Sequence, residues 1–95
     1  MFSVVIPLYN KGHTIVETLQ SVLAQNFRDF EIVIIDDGST DDGPEKLERY
    51  FSDRRIRLIH QDNSGEGSAR NSGIDAAVYD WIAFLDADDI WLPGY

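Results

Sequence analysis

Apolar positions fall into four short, dense runs, and between them apolar residues recur at the wider spacing of helices. Phe2 to Leu8 is almost continuously apolar and rich in β-branched residues, which predicts a strand covered on both faces. Asn10, Lys11 and Gly12 end it. From His13 to Gln25, residues Ile15, Leu19, Val22 and Leu23 fall at i, i+4, i+7 and i+8, the stripe of a helix with one apolar face. Thr14 and Glu17 have capping-box spacing and place the helix start near them. Phe30 to Ile35 reads as a second buried strand and runs into the turn-forming series Asp36, Asp37, Gly38, Ser39 and Thr40. Pro44 suits the first turn of a short helix reaching about Phe51, with Leu47, Tyr50 and Phe51 facing inward. Ile56 to His60 predicts a third strand, Gly67 to Ala77 a third helix despite Gly73, and Trp81 to Leu85 a fourth strand.

Regular alternation of strand and helix predicts an α/β sandwich built on a parallel sheet with right-handed crossovers. In such sheets the ligand crevice lies beyond the carboxyl ends of the strands. Three polar clusters select that edge: Tyr9-Asn10 after the first strand, Asp36-Asp37 after the second, and Asp86-Ala87-Asp88-Asp89 after the fourth. Acids scattered over a surface would not be expected to share one edge.

Composition narrows the partners. The 95 residues suffice for one domain, and 17 acidic against 8 basic side chains give a formal charge of −9. A chain so charged is repelled by nucleic acid and anionic membranes. Most of this charge is accounted for by a solvated surface, leaving some carboxylates to gather around a cation. The absence of cysteine excludes a disulfide framework and thiolate metal sites and fits a reducing, cytoplasmic compartment. No apolar run is long enough to span a bilayer, no basic segment precedes an apolar one as in a signal peptide, and no internal repeat is present.

The clusters carry distinct chemistry. Asp86, Asp88 and Asp89 repel one another unless protons or a cation intervene, and Mg²⁺ or Mn²⁺ would take their oxygens and bridge to a substrate phosphate. The alternative is a solvated acidic turn. Asp36 and Asp37 divide between turn formation and a ligand contact, such as a base N–H or a ribose hydroxyl. Tyr9 could stack on a planar base or serve as a rim residue. Pro7 removes one ladder N–H and marks an end or irregularity of pairing. Arg70 follows the glycine-containing approach Gly65-Glu66-Gly67 to a helix and offers either a diphosphate contact or an internal salt bridge to one of the acids. His13 and His60 lack metal-ligand spacing and read as structural or surface residues. A phosphoryl-transfer domain would need a lysine beside a nucleophilic aspartate, and neither Lys11 nor Lys46 stands at a later strand end.

The segments Ser3 to Asn10, Ser21 to Gln25, Phe30 to Asp41, Gly67 to Gly73 and Phe84 to Asp89 together resemble the successive N-terminal blocks of family 2 glycosyltransferases, and the resemblance runs from residue 3 to residue 95. It implies a Rossmann-like GT-A sheet sandwiched by helices and truncated after the fourth strand, with a nucleotide-diphosphate sugar, commonly UDP-linked, as donor. By that match Pro7 and Tyr9 line the base site, Asp37 binds the base edge, and Asn10 is among the residues that bind the nucleotide sugar. Asp86 lies near the ribose and sugar, and Asp88 is the main ligand of a Mn²⁺ or Mg²⁺ ion that Asp86 helps to hold. Arg70 lies near the nucleotide. Family members carry the acceptor site and a carboxylate general base in a second half, so the base is expected beyond Tyr95 and no catalytic residue is assigned within the chain. The implied activity is sugar transfer to an acceptor hydroxyl in cell-surface polysaccharide biosynthesis, cytoplasmic or peripheral at the inner membrane face in a longer parent. The competing reading is a nucleotide- and metal-binding module without turnover. Apolar surface at Trp81, Trp91 and Leu92 leads to the further expectation of a homodimer.

Overall fold

The structure is a computed structural model that describes residues 1–25 and 29–91. It contains β1 (Phe2–Leu8), α1 (Ile15–Leu23), β2 (Phe30–Asp37), α2 (Gly43–Tyr50), β3 (Ile56–Gln61), α3 (Glu66–Ala76) and β4 (Ile82–Phe84). All pairings are parallel, in the order β3-β2-β1-β4. This is the Rossmann-like α/β architecture expected from the alternation of elements.

The central strands have no solvent face. Val4, Val5, Ile6 and Leu8 of β1 and Ile32 to Ile35 of β2 are fully buried. Removing each such side chain from water contributes about 1.5–3 kcal/mol. Alternation along the strands divides the core in two. Val4, Ile6, Leu8, Ile32 and Ile34 pack with Ile15, Leu19 and Val22 of α1 and Leu47 of α2. Val5, Val33 and Ile35 pack on the other face with Ala69 of α3. β2 runs two residues past its apolar stretch because Asp36 and Asp37 pair in register with His60 and Gln61 of β3.

Pro7 interrupts pairing on one side only. Odd-numbered residues of β1 direct their backbone bonds toward β4: Ser3 N donates to Trp81 O, and Leu85 N donates to Val5 O. The next donor in that ladder would be residue 7, where proline has none. Pairing with β2 continues through Pro7 and Leu8, so β1 and β4 part at their carboxyl ends while β1 and β2 stay joined.

At the opposite end of the sheet, Glu31 ties the connection between α3 and β4 to the strands. It accepts from Ser3 Oγ at 2.6 Å, Arg57 Nη2 at 3.0 Å and Val78 N at 2.6 Å.

α1 starts where the Thr14 and Glu17 spacing placed it, though without a side-chain cap, and two expectations about individual side chains fail. Thr14 does occupy the N-cap position of α1 but makes no side-chain cap bond; its hydroxyl meets the carbonyls of Lys11 and Ala87 instead. Tyr50, expected to face inward, is 62% exposed, because Leu47 alone fills the inward position of the two-turn α2 while Phe51 is partly buried beyond it. Trp91, expected on an exposed surface, packs against the core on the α1 side. Trp81 is 78% exposed, as expected, and Leu92 lies outside the described residues.

α3 approaches β1 so closely at Gly73 that a Cβ there would lie 2.2 Å from Val5 Cγ1. Gly73→Ala is therefore expected to lower the unfolding free energy by about 1–3 kcal/mol through overpacking, despite the roughly 1 kcal/mol that alanine gains in helix propensity. Urea unfolding of Gly73→Ala, Val5→Ala and the double variant checks this: a favourable coupling between the two sites is expected, and additive losses would refute the clash.

Candidate functional site

A cleft of about 490 Å³ opens at the carboxyl ends of β1, β2 and β4. Its walls include Pro7, Tyr9 and Lys11 after and within β1, Asp37 at the end of β2, Asn63, Gly65 and Glu66 at the start of α3, and Asp86 to Asp88 after β4. The separation of β1 from β4 at Pro7 creates its floor. α1 leads from β1 to β2 over one face of the sheet and α3 leads from β3 to β4 over the other, and crevices form where the strand order reverses in this way.

Tyr9 is half exposed, with its ring on the cleft wall. Asn10 has a left-handed backbone, φ 52°, and its side chain is turned away from the cleft into the loop after β2. Its Oδ1 accepts from Thr40 N at 2.8 Å, from the Thr40 hydroxyl at 3.3 Å and from Asp41 N at 3.3 Å. It therefore ties the two loops at the cleft edge together and does not line the cavity.

The paired aspartates of β2 point to opposite faces, as neighbours on a strand must. Asp36 accepts from Ser39 N at 3.0 Å and pairs with His60 Nδ1 at 2.8 Å, which supplies the turn role. Asp37 faces the cleft and α3. Gln61 Nε2 and Ser64 N donate to its Oδ1 at 2.8 and 2.9 Å, and Gly65 N and Asn63 Nδ2 donate to its Oδ2 at 3.0 and 3.4 Å. These four donors match the lone-pair capacity of a carboxylate. Burial alone would raise the Asp37 pKa, but the bonds from Gln61, Ser64 and Gly65 outweigh it and hold the carboxyl below its ordinary value. Gly38, which follows, has φ 75°, and a Cβ there would meet Asn63 N at 2.8 Å, so the turn admits only glycine without displacement.

The acidic cluster is of a different kind. Asp86, Asp88 and Asp89 are exposed, and each offers an oxygen within 4.8 Å of the others. Three hard oxygen donors so spaced fit Mg²⁺ or Mn²⁺, which complete their coordination with water or phosphate oxygens. Two cations stand nearby. Lys11 Nζ lies 3.4 Å from Asp88 Oδ2. Arg70 Nη2 lies 2.7 Å from Glu66 and 3.7 Å from Asp86. These pairs are half exposed and weak, so they leave the acids open to a stronger cation. Arg70 thus makes the expected salt bridge to an acid, at the cleft rim. Lys11, judged from spacing to be poorly placed, reaches the cluster, because the loop after β1 folds toward the end of β4. That closeness follows from strand order, which spacing along the chain does not disclose. Asn63 and Gly65 were missed for the same reason; the glycine approach to α3 was their only signal. His13 is exposed, and His60 serves Asp36.

A parallel sheet whose crossovers lie on both faces, with acids from separate strands around one terminal cleft, is the arrangement of a doubly wound α/β domain. Residues 3–95 match the family model for glycosyl transferase family 2, and the chain belongs to that family. An uncharacterized glycosyltransferase of Rickettsia felis is 49% identical over 89 residues, which cover 94% of this chain and 15% of that protein. The 1–349 portion of S. aureus TarS, in complex with UDP-GlcNAc, superposes with a TM-score of 0.87 at 35% identity, over 94% of this chain and 27% of that one. The mannosyltransferase PcManGT from Pyrobaculum calidifontis, in complex with GDP-Man and Mn²⁺, superposes with a TM-score of 0.87 at 26% identity, over 95% and 28%. The fold is therefore that of the GT-A enzymes, and the chain spans well under half the length of the relatives it matches.

The depressed pKa of Asp37 has a pH consequence. A group whose folded pKa lies below its unfolded value contributes stability above the unfolded pKa and loses it as pH falls through the folded one. Asp37→Asn is expected to cost about 1–3 kcal/mol at neutral pH, with the gap to the parent chain narrowing below about pH 4. Urea unfolding across that range checks it, and a gap independent of pH would contradict the assignment.

Proposed function

We propose that this chain binds a nucleotide-diphosphate sugar, UDP-linked, together with a divalent cation, Mn²⁺ or Mg²⁺, and serves transfer of the sugar to an acceptor hydroxyl. The observation that carries the reading is that Tyr9, Asp37 and the pair Asp86 and Asp88, from three separate strand ends, border one cleft. The UDP-GlcNAc complex of TarS and the GDP-Man and Mn²⁺ complex of PcManGT support it.

In this reading Pro7 and Tyr9 form the wall against which the base lies, Tyr9 offering an aromatic face. Asp37 accepts from the base edge by replacing its longest partner, Asn63. Asp86 stands near ribose and sugar. Asp88, with Asp86, holds the cation, which offsets the charge that develops on the departing diphosphate. Arg70 and Lys11 add positive charge at the rim. Asn10 acts on the nucleotide only through the loop it secures. None of the described carboxylates is assigned as the base that takes the acceptor proton, and the part proposed for these residues is donor binding. The same reading extends to a cytoplasmic setting and a role in cell-surface polysaccharide assembly. No helix among the described residues is long and apolar enough to cross a membrane. The open edge of β4 with exposed Trp81 and Phe84 supports self-association of the chain.

Calorimetric titration with UDP, GDP and CDP, with and without Mn²⁺, tests the site. UDP is expected to bind most tightly, Mn²⁺ to strengthen it by about ten- to hundredfold, and Asp88→Asn to remove that gain. Equal binding with and without the ion would sink the reading. Sedimentation across a range of concentrations tests self-association, and a monomer throughout refutes it.

A further inference from the structure

The turn that carries Asp86, Asp88 and Asp89 is gripped from below by α1. Ala87, between the first two acids, is buried at 4% exposure. Its carbonyl accepts from Thr18 Oγ1 at 2.9 Å and from Thr14 Oγ1 at 3.0 Å, the latter being the shorter of the two carbonyl contacts of Thr14. Thr18 is fully buried. One helical step on, Ser21 Oγ donates to Thr18 O at 2.6 Å and accepts from Trp91 N at 3.0 Å. Positions 14, 18 and 21 share one helix face, so a single polar stripe holds the chain at Ala87, between the acids, and at Trp91, after them. The turn also has its own bond, Asp89 N to Asp86 O at 3.0 Å.

We infer that Thr14, Thr18 and Ser21 are positioning residues for the acidic turn: by fixing the Ala87 carbonyl inward and the Trp91 amide beneath it, they aim the Asp86 and Asp88 carboxylates together into the cleft. The consequence for a cation rests on the function proposed above; the grip itself does not. Three carboxylates within 4.8 Å push one another apart, and a surface turn with only its own bond would spread. Two hydroxyl donors on one buried carbonyl oppose this, because that carbonyl has no water to turn to once it leaves them. Groups that orient metal ligands without touching the metal commonly set its affinity. The three hydroxyls also occupy the apolar helix face next to Ile15, Leu19 and Val22, where valine or alanine would otherwise serve the core.

The test uses the whole chain and the variants Thr18→Val, Thr14→Val/Thr18→Val, Ser21→Ala and Thr18→Ser, with two readouts: amide hydrogen exchange at Asp89 and Trp91, and Mn²⁺ affinity from the free-ion paramagnetic signal. Valine keeps the shape of threonine and removes the hydroxyl; serine keeps the hydroxyl. In the double valine variant, exchange at Asp89 is expected to quicken by about tenfold and Mn²⁺ affinity to fall by about tenfold. Thr18→Val and Ser21→Ala shift both in the same direction by less, and Thr18→Ser stays within about twofold of the parent. If the double variant fails to fold, the single variants decide. Unchanged exchange overturns the inference, as does unchanged Mn²⁺ affinity at quickened exchange. So does a Thr18→Ser variant as weak as Thr18→Val, which would assign the effect to packing. A parent chain that binds no Mn²⁺ would refute the proposed function, while exchange at Asp89 and Trp91 would still decide the grip.

Discussion

β1 is hydrogen-bonded on both sides and covered on both faces, and this double enclosure governs the placement of everything else. A strand so enclosed can carry almost no polar side chain inside the sheet. Ser3, its one buried polar residue, lies at the amino end, where Glu31 answers its hydroxyl. Groups able to meet a ligand are displaced to the carboxyl end, where Pro7 withholds a donor from β4 and the sheet divides. The cleft is therefore a product of the same pairing that makes the core, and its chemistry comes from whatever residues follow the strands.

The acids of this strongly acidic chain fall into two physical states. Glu31, Asp36 and Asp37 lie against the sheet with several donors each, and they serve as acceptors that hold loops and strand ends. For Glu31, as for Asp37, burial works to raise the pKa, but bonds from Ser3, Val78 and Arg57 prevail and lower it. Asp86, Asp88 and Asp89 instead stand exposed around a shared space, opposed among the described residues by loosely paired Lys11 and Arg70. Net charge alone does not separate these states. The number of donors around each carboxylate does, and it identifies the group with coordination to spare.

Most of the architecture was legible because its elements are short and strongly patterned. Continuous apolar runs announced β1 and β2, and the stripe of Ile15, Leu19 and Val22 announced α1. The alternation of elements gave the parallel sheet, and the sheet gave the shared edge of the polar clusters. Contacts between residues distant in the chain were not legible. Spacing could not show that Lys11 meets Asp88, 77 residues later. Nor could it show that Thr14, with the sequence signature of a cap, turns its hydroxyl to Ala87. Tyr50 and Trp91 were misread because an apolar side chain near an element's end has no fixed facing until its neighbours are in place. For Asp36 and Asp37 the local pattern allowed turn or ligand; the structure gives both an internal role and leaves only Asp37 on the cleft.

The full complement of donors around Asp37 couples two events that would otherwise be independent. Any molecule that donates to this carboxylate must release a bond from Gln61, Asn63, Ser64 or Gly65, and those residues run from the end of β3 to the start of α3. Occupation of the Asp37 end of the cleft would therefore be felt at the start of α3, where Arg70 pairs with Glu66 and stands near Asp86. By thermodynamic reciprocity, whatever stiffens that segment weakens the grip on the newcomer by the same factor. One side chain thus stands in the bonding of both ends of the cleft, at the end of β2 and at the start of α3.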